Sequence, residues 1–141
     1  MESETLYNEK RKQALITGAS RGIGAGIAIA LAKEGYDLIL VCRKSMERLN
    51  ALQKEIELTY GVRCEAYQCD VSDPEEVEKL FTVCGEVDVL VNNAAISYVG
   101  LLTDMSVLEW QQVINTNLNA LFYICRQVLP GMIHRKSGKI I

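Results

Sequence analysis

Apolar positions along this chain come in blocks of two periods. Gln13 to Thr17 and Asp37 to Cys42 are short runs, and Leu38-Ile39-Leu40-Val41 is apolar throughout, as in a strand covered on both faces. Between them the apolar residues return at helical spacing from about Gly22, with Ile23, Ile27, Ala30 and Leu31 as the expected buried face, until Gly35 ends the helix. Ser45 to Tyr60 is a charged surface helix closed by Gly61, and Val62 to Tyr67 is a third strand. Asp70-Val71-Ser72-Asp73-Pro74-Glu75-Glu76 opens a helix running to about Cys84, with an Asp cap, Pro at the first helical position and acids in the first turn. Val87 to Val91 is a fourth strand and Asn92 to Asp104 a long loop. Ser106 to Arg135 is mostly helical and expected to bend at Pro130, and Lys139 to Ile141 begins a fifth strand.

Strands alternating with helices, without repeat or linker, imply an α/β chain with a parallel sheet. Right-handed crossovers put the third and second strands on one side of the first and the fourth and fifth on the other, with a ligand over the carboxyl ends of the first and fourth. Residues 1–12 are a polar segment ahead of this unit, which spans 13–141.

Composition narrows the function classes. A net charge of −3 leaves no electrostatic footprint for nucleic acid, and no run approaches the roughly 20 apolar residues of a membrane span, so a cytoplasmic protein is expected. Cys42, Cys64, Cys69, Cys84 and Cys125 are odd in number, lack C-x-x-C spacing and sit mostly in apolar contexts, which reads as reduced thiols rather than a disulfide framework or a metal site. The single histidine, His134, stands near Arg135 and Lys136 at a helix end, where the dipole explains it.

The chemistry concentrates in Leu15-Ile16-Thr17-Gly18-Ala19-Ser20-Arg21-Gly22-Ile23-Gly24. Here a strand runs into a glycine-spaced turn and then a helix, an arrangement that offers backbone N–H groups and a positive dipole to a pyrophosphate. A glycine-rich turn without a ligand is the plainer alternative. The G-x-G-x-x-G fingerprint fails because Ile27 stands where its third glycine would. Cofactor choice is read at the end of the second strand, where an acid would hold a ribose 2′-hydroxyl and Arg a 2′-phosphate. Cys42 and Arg43 stand there, followed by Lys44 and Ser45, and Arg21, just before the second glycine of the turn, adds another forked cation that could share the 2′-phosphate. The missing acid and the paired arginines point to NADP(H), against the alternative of a solvated strand end. Asp37 sits at the wrong end of the strand to be the ribose acid.

T-G-x-x-x-G-x-G at Thr17–Gly24 resembles the signature of classical short-chain dehydrogenases/reductases, which implies a Rossmann-like doubly wound parallel sheet, here truncated in the fifth strand. The resemblance implies cofactor contacts from Thr17, Gly18, Ser20, Arg21, Gly22, Ile23 and Gly24, with Arg43 at the 2′-phosphate. It places Asp70 and Val71 at the adenine ring, although Asp70 also reads as a turn or cap residue. Asn92-Asn93-Ala94-Ala95 is similar to the family's N-N-A-G, which stabilises the sheet and borders the nicotinamide ribose; Asn93, Ala94 and Ala95 are the expected contacts, and Ala95 replaces the glycine. Asn117 matches the asparagine of the catalytic tetrad, which helps hold a water in a proton relay, or is an Asn hydrogen-bonded within its helix. Trp110, Leu118, Leu121, Phe122 and Cys125 read as core or subunit contacts.

The family's Tyr-x-x-x-Lys is missing: Tyr7, Tyr36, Tyr60, Tyr67, Tyr98 and Tyr123 are followed four residues on by Arg11, Leu40, Cys64, Val71, Leu102 and Gln127. The expectation is therefore the cofactor half of a reductase, inactive and poorly soluble by itself, with the catalytic Ser, Tyr and Lys beyond Ile141. The overall pattern is most similar to bacterial 3-oxoacyl-[acyl-carrier-protein] reductases, which implies an NADPH-dependent reduction of a 3-oxoacyl thioester by a homo-oligomer, dimer or tetramer. Related reductases act on other ketones, including a modified lysine of elongation factor P. A non-catalytic NADP-binding module and an interaction protein working through the long helix are the readings from other classes.

Overall fold

The computed structural model describes residues 10–141, so most of the polar 1–12 segment, Tyr7 included, lies outside the described residues. Five parallel strands, β1 (Gln13–Thr17), β2 (Asp37–Cys42), β3 (Cys64–Gln68), β4 (Val89–Val91) and β5 (Lys139–Ile140), form one sheet in the order β3-β2-β1-β4-β5. This is the expected doubly wound order, with the switch between β1 and β4.

The strand pleat divides the core in two. Ala14 and Ile16 of β1, Leu38, Leu40 and Cys42 of β2 and Val89 and Val91 of β4 face α1 (Gly22–Lys33) and α2 (Met46–Tyr60). Leu15, Ile39, Val41 and Leu90 face the other way, against α3 (Pro74–Val83) and α5 (Ala120–Arg135). A strand whose successive side chains enter different cores has no polar face, which is why β2 reads as a continuous apolar run.

Helix ends follow the local chemistry. Asp73 caps α3 by accepting from Glu75 N at 2.9 Å, and Gly61 closes α2 at φ +66°. Ser106 and Glu109 form a capping box at the start of α4 (Val107–Ile114). Lys136 closes α5 in the left-handed region at φ +53°, a position that favours glycine.

Three expectations are corrected and a fourth is narrowed. The buried face of α1 is Gly24, Ala28 and Ala32, flanked by half-buried Ile27 and Leu31, whereas Ile23 and Ala30 are exposed. Small side chains win the inner face because they let the helix lie close to the sheet. The third strand begins at Cys64 rather than Val62, since Asp37 Oδ1 takes the Arg63 N–H before the ladder starts. The long helix is interrupted at a π turn, Asn115–Asn119, and Pro130, where a bend was expected, lies inside α5. Of the residues expected as core or subunit contacts, Trp110, Leu118 and Phe122 are more than half exposed, which fits the second of those roles and not the first.

Candidate functional site

The carboxyl end of β1 is tied to that of β4 before either reaches solvent. Thr17 Oγ1 accepts from the Asn93 and Ala94 backbone N–H groups, both at 3.0 Å. Asn93 Nδ2 returns two bonds at 3.1 Å, donating to the carbonyls of Thr17 and Gly18. The turn between β1 and α1 needs its glycines for two reasons. Gly18 (φ +63°) and Gly22 (φ +57°) occupy the left-handed region, and a Cβ on Gly24 would collide with the Gly18 carbonyl and lie 2.6 Å from Asn93 Nδ2. Arg21 at the N-cap of α1 makes no side-chain cap, so the helix N-terminus keeps its backbone donors for an outside anion. Ala95 carries its methyl without strain, because Lys136 is the only non-glycine at positive φ among the described residues.

Above this scaffold lies a cleft of about 530 Å³. Of the positions singled out in the sequence, Gly18, Ser20, Arg21, Gly22, Ile23, Arg43, Asp70, Val71, Asn93, Ala94 and Ala95 all line it. Thr17 and Gly24 lie buried beneath, holding its floor. A more polar groove of about 720 Å³ adjoins it and is bordered by Arg43, Lys44, Gln68, Asp70, Glu76 and Asn115 among others.

The cations at the cleft carry no carboxylate partner: Arg21, Arg43 and Lys44 are exposed, and none joins an ion pair among the described residues. Asp70 is a turn residue and a cleft residue at once: its Oδ1 accepts from Ser72 N at 3.0 Å and Ser72 Oγ at 2.7 Å, while its own N–H donates to Glu76 Oε2 at 2.6 Å. The two thiols on the cleft wall are held neutral. Burial pushes Cys42 up, and burial reinforced by Glu76, Asp70 and Asp73 pushes Cys69 to about 12. All five cysteines are free, and no group of three or more His, Cys, Asp or Glu suited to a metal ion occurs among the described residues.

Asn117 does not line the cleft. From the π turn it makes a two-bond bridge to one residue of the 92–104 loop: Oδ1 accepts from Ile96 N at 2.9 Å and Nδ2 donates to Ile96 O at 2.8 Å. It is thus not spent on its own helix, and Ile96 lines both the cleft and the groove. Ile96, which opens the stretch 96–102 expected from sequence as a substrate loop, borders this region, as do Thr116, Gln68 and Glu76, which were not expected there. A polar residue ending a strand just before Asp70 was the available signal for Gln68; nothing local marked Thr116.

Comparison with known proteins agrees with this architecture. Residues 12–141 match the family model described as short chain dehydrogenase. The 3-oxoacyl-[acyl-carrier-protein] reductase of Staphylococcus epidermidis is 42% identical over 134 residues, covering 92% of this chain and 54% of the relative. A short-chain dehydrogenase from Sphingobium yanoikuyae solved in complex with NADPH superposes with a TM-score of 0.84 at 33% identity, over 92% of this chain and 51% of that one. The alcohol dehydrogenase of the archaeon Thermococcus sibiricus complexed with 5-hydroxy-NADP gives 0.84 at 34% identity, over 93% and 57%. The chain spans about half the length of the curated relatives it matches. Glycine turn, stitched strand ends, switch-point cleft and family match converge: the chain belongs to the short-chain dehydrogenase family.

Proposed function

We propose that residues 13–141 form the NADP-binding domain of an oxidoreductase that reduces a ketone to a secondary alcohol with NADPH. The observation that carries this reading is the convergence of Arg21 and Arg43 on the cleft of the glycine turn, with no acid at the end of β2. In it, the uncapped N-terminus of α1 and the bare surface over Gly22, where a Cβ would meet nothing, receive the pyrophosphate. Arg21 and Arg43 grip the 2′-phosphate as forked donors. Asp70 and Val71 border the adenine, and Asn93, Ala94 and Ala95 the nicotinamide ribose. When bound, the cofactor supplies a hydride. Asn117 fixes the loop at Ile96, which shapes the nicotinamide end, and belongs to the proton relay of the catalytic residues.

The substrate proposed first is a 3-oxoacyl thioester carried by an acyl carrier protein, on the strength of the staphylococcal relative. The exposed apolar residues Leu118, Leu121, Phe122, Leu129 and Ile133 suit self-association of subunits. No helix among the described residues is long and apolar enough to cross a membrane, which accords with a cytoplasmic enzyme. No tyrosine here is followed four residues on by lysine, so the 141-residue polypeptide by itself is proposed to bind nucleotide without turnover.

The test is a fluorescence titration with NADPH and NADH. NADPH binds the tighter, and Arg43→Asp weakens it roughly thirtyfold or more while NADH changes little. Equal affinity for the two nucleotides, or an Arg43→Asp variant that binds NADPH as before, overturns the reading. Oxidation of NADPH on adding a β-keto thioester to the 141-residue chain overturns its inactivity.

A further inference from the structure

We propose that Gln68 is a positioning residue for the 2′-phosphate grip, acting by fixing the backbone of Arg43. The inference rests on the NADPH reading above and extends it to a residue outside the glycine turn. The β2–β3 ladder ends with Cys42 opposite Gln68, and Cys69 N donates to Cys42 O at 2.9 Å as the last backbone rung. One residue further on, the rung is made by a side chain: Gln68 Nε2 donates to Arg43 O at 3.0 Å. The next bond, Met46 N to Lys44 O at 2.9 Å, already belongs to the turn into α2.

Arg43 is thus the residue at which the sheet stops and the cleft mouth begins. Its side chain is exposed and joins no ion pair among the described residues, so nothing at its charged end dictates where it reaches. What limits the search of such a flexible cation is the placement of its Cα, and the Gln68 amide supplies that restraint. Gln68 is itself exposed, so water would satisfy both groups if the bond were lost, and the fold does not depend on it. Preorganisation of Arg43 is the role that remains.

The experiment is a double-mutant cycle read by nucleotide binding. NADPH and NADH are titrated into the 141-residue chain, Gln68→Met, Arg43→Ala and the double variant, with a thermal melt of each. Gln68→Met keeps the length and removes the donor. It is expected to weaken NADPH by roughly three- to fivefold, to leave NADH and the melting temperature unchanged, and to cost nothing further once Arg43 is Ala. Equal loss for both nucleotides, a loss that persists in the Arg43→Ala background, or no loss in a chain that prefers NADPH overturns the role of Gln68. A parent chain with no preference for NADPH overturns the cofactor reading itself, and this inference with it.

Discussion

The two ends of the sheet hold their cations in opposite circumstances. At the amino ends of the strands Lys10, Arg11, Arg63 and Arg135 are matched with Asp37, Glu86 and Asp88, and all five ion pairs of the described residues lie there. At the carboxyl ends Arg21, Arg43 and Lys44 surround a cleft with no carboxylate paired to any of them. Residues of the same type therefore stand in different surroundings at the two ends. One set stitches the chain to itself, and the other is left unneutralised beside a helix N-terminus, where an anion gains most.

Exchanging the damage between the ends gives the largest expected effect. Arg21→Glu combined with Arg43→Asp should weaken NADPH by about a hundredfold or more with little change in melting temperature, whereas Arg11→Ala with Arg63→Ala should lower the melting temperature and leave affinity within about twofold. Equal losses of affinity from both pairs would abolish the contrast. Gly24→Ala should cost about 1–3 kcal/mol in equilibrium denaturation, because its methyl meets the Gly18 carbonyl, and should also weaken NADPH by moving the turn. Asp37→Ala removes the acceptor of the Arg63 N–H and should cost about 1–2 kcal/mol without touching affinity. Lys136→Gly should add about 0.5–1 kcal/mol by relieving the left-handed cap of α5.

The smallest effect is in the acid limb of stability. Hydrogen bonding from Lys10, then its charge and that of Arg135, hold the Glu86 carboxyl below its ordinary 4.5. A carboxyl depressed in the folded state stabilises above its unfolded value and loses that contribution as pH falls through the folded one. Glu86→Gln should therefore flatten the pH dependence of the melt slightly below pH 4.5 and leave it unchanged near neutrality. A variant whose acid limb is as steep as the parent's would show that the exposed pair is inert.

The carboxyl-end site was far more legible in the sequence than the amino-end network. Gly18, Gly22 and Gly24 announce a backbone requirement in their own spacing, and Cys42-Arg43 is read from the strand it terminates. Asp37 and Arg63, or Glu86 and Arg135, are distant in sequence and meet only because β2, β3 and β4 share an edge of the molecule. The same distinction explains the misjudged helices. In α1 nearly every position is apolar, so hydrophobicity could not say that Gly24, Ala28 and Ala32 face inward; closeness to the sheet decided it. In the long helix the apolar stripe was legible but its covering was not, and Trp110 and Phe122 remain exposed. The π turn left only the mark of three asparagines in five residues, poor helix formers, while Asn117's partner Ile96 lies 21 residues away.

A π turn is one residue too many for its helix, and that surplus sets the phase of what flanks it. Each residue advances an α-helix by about 100°, so winding Asn115–Asn119 into plain α-helix with every residue kept would swing α4 by about 100° relative to α5. Asn117 could not then meet Ile96 while Ile124, Val128 and Met132 stayed in the core. The supernumerary residue works as a splice between two registers, one answering to hydrophobic packing and the other to a loop at the cleft. A chain wound as plain α-helix there should keep its sheet and lose its hold on Ile96.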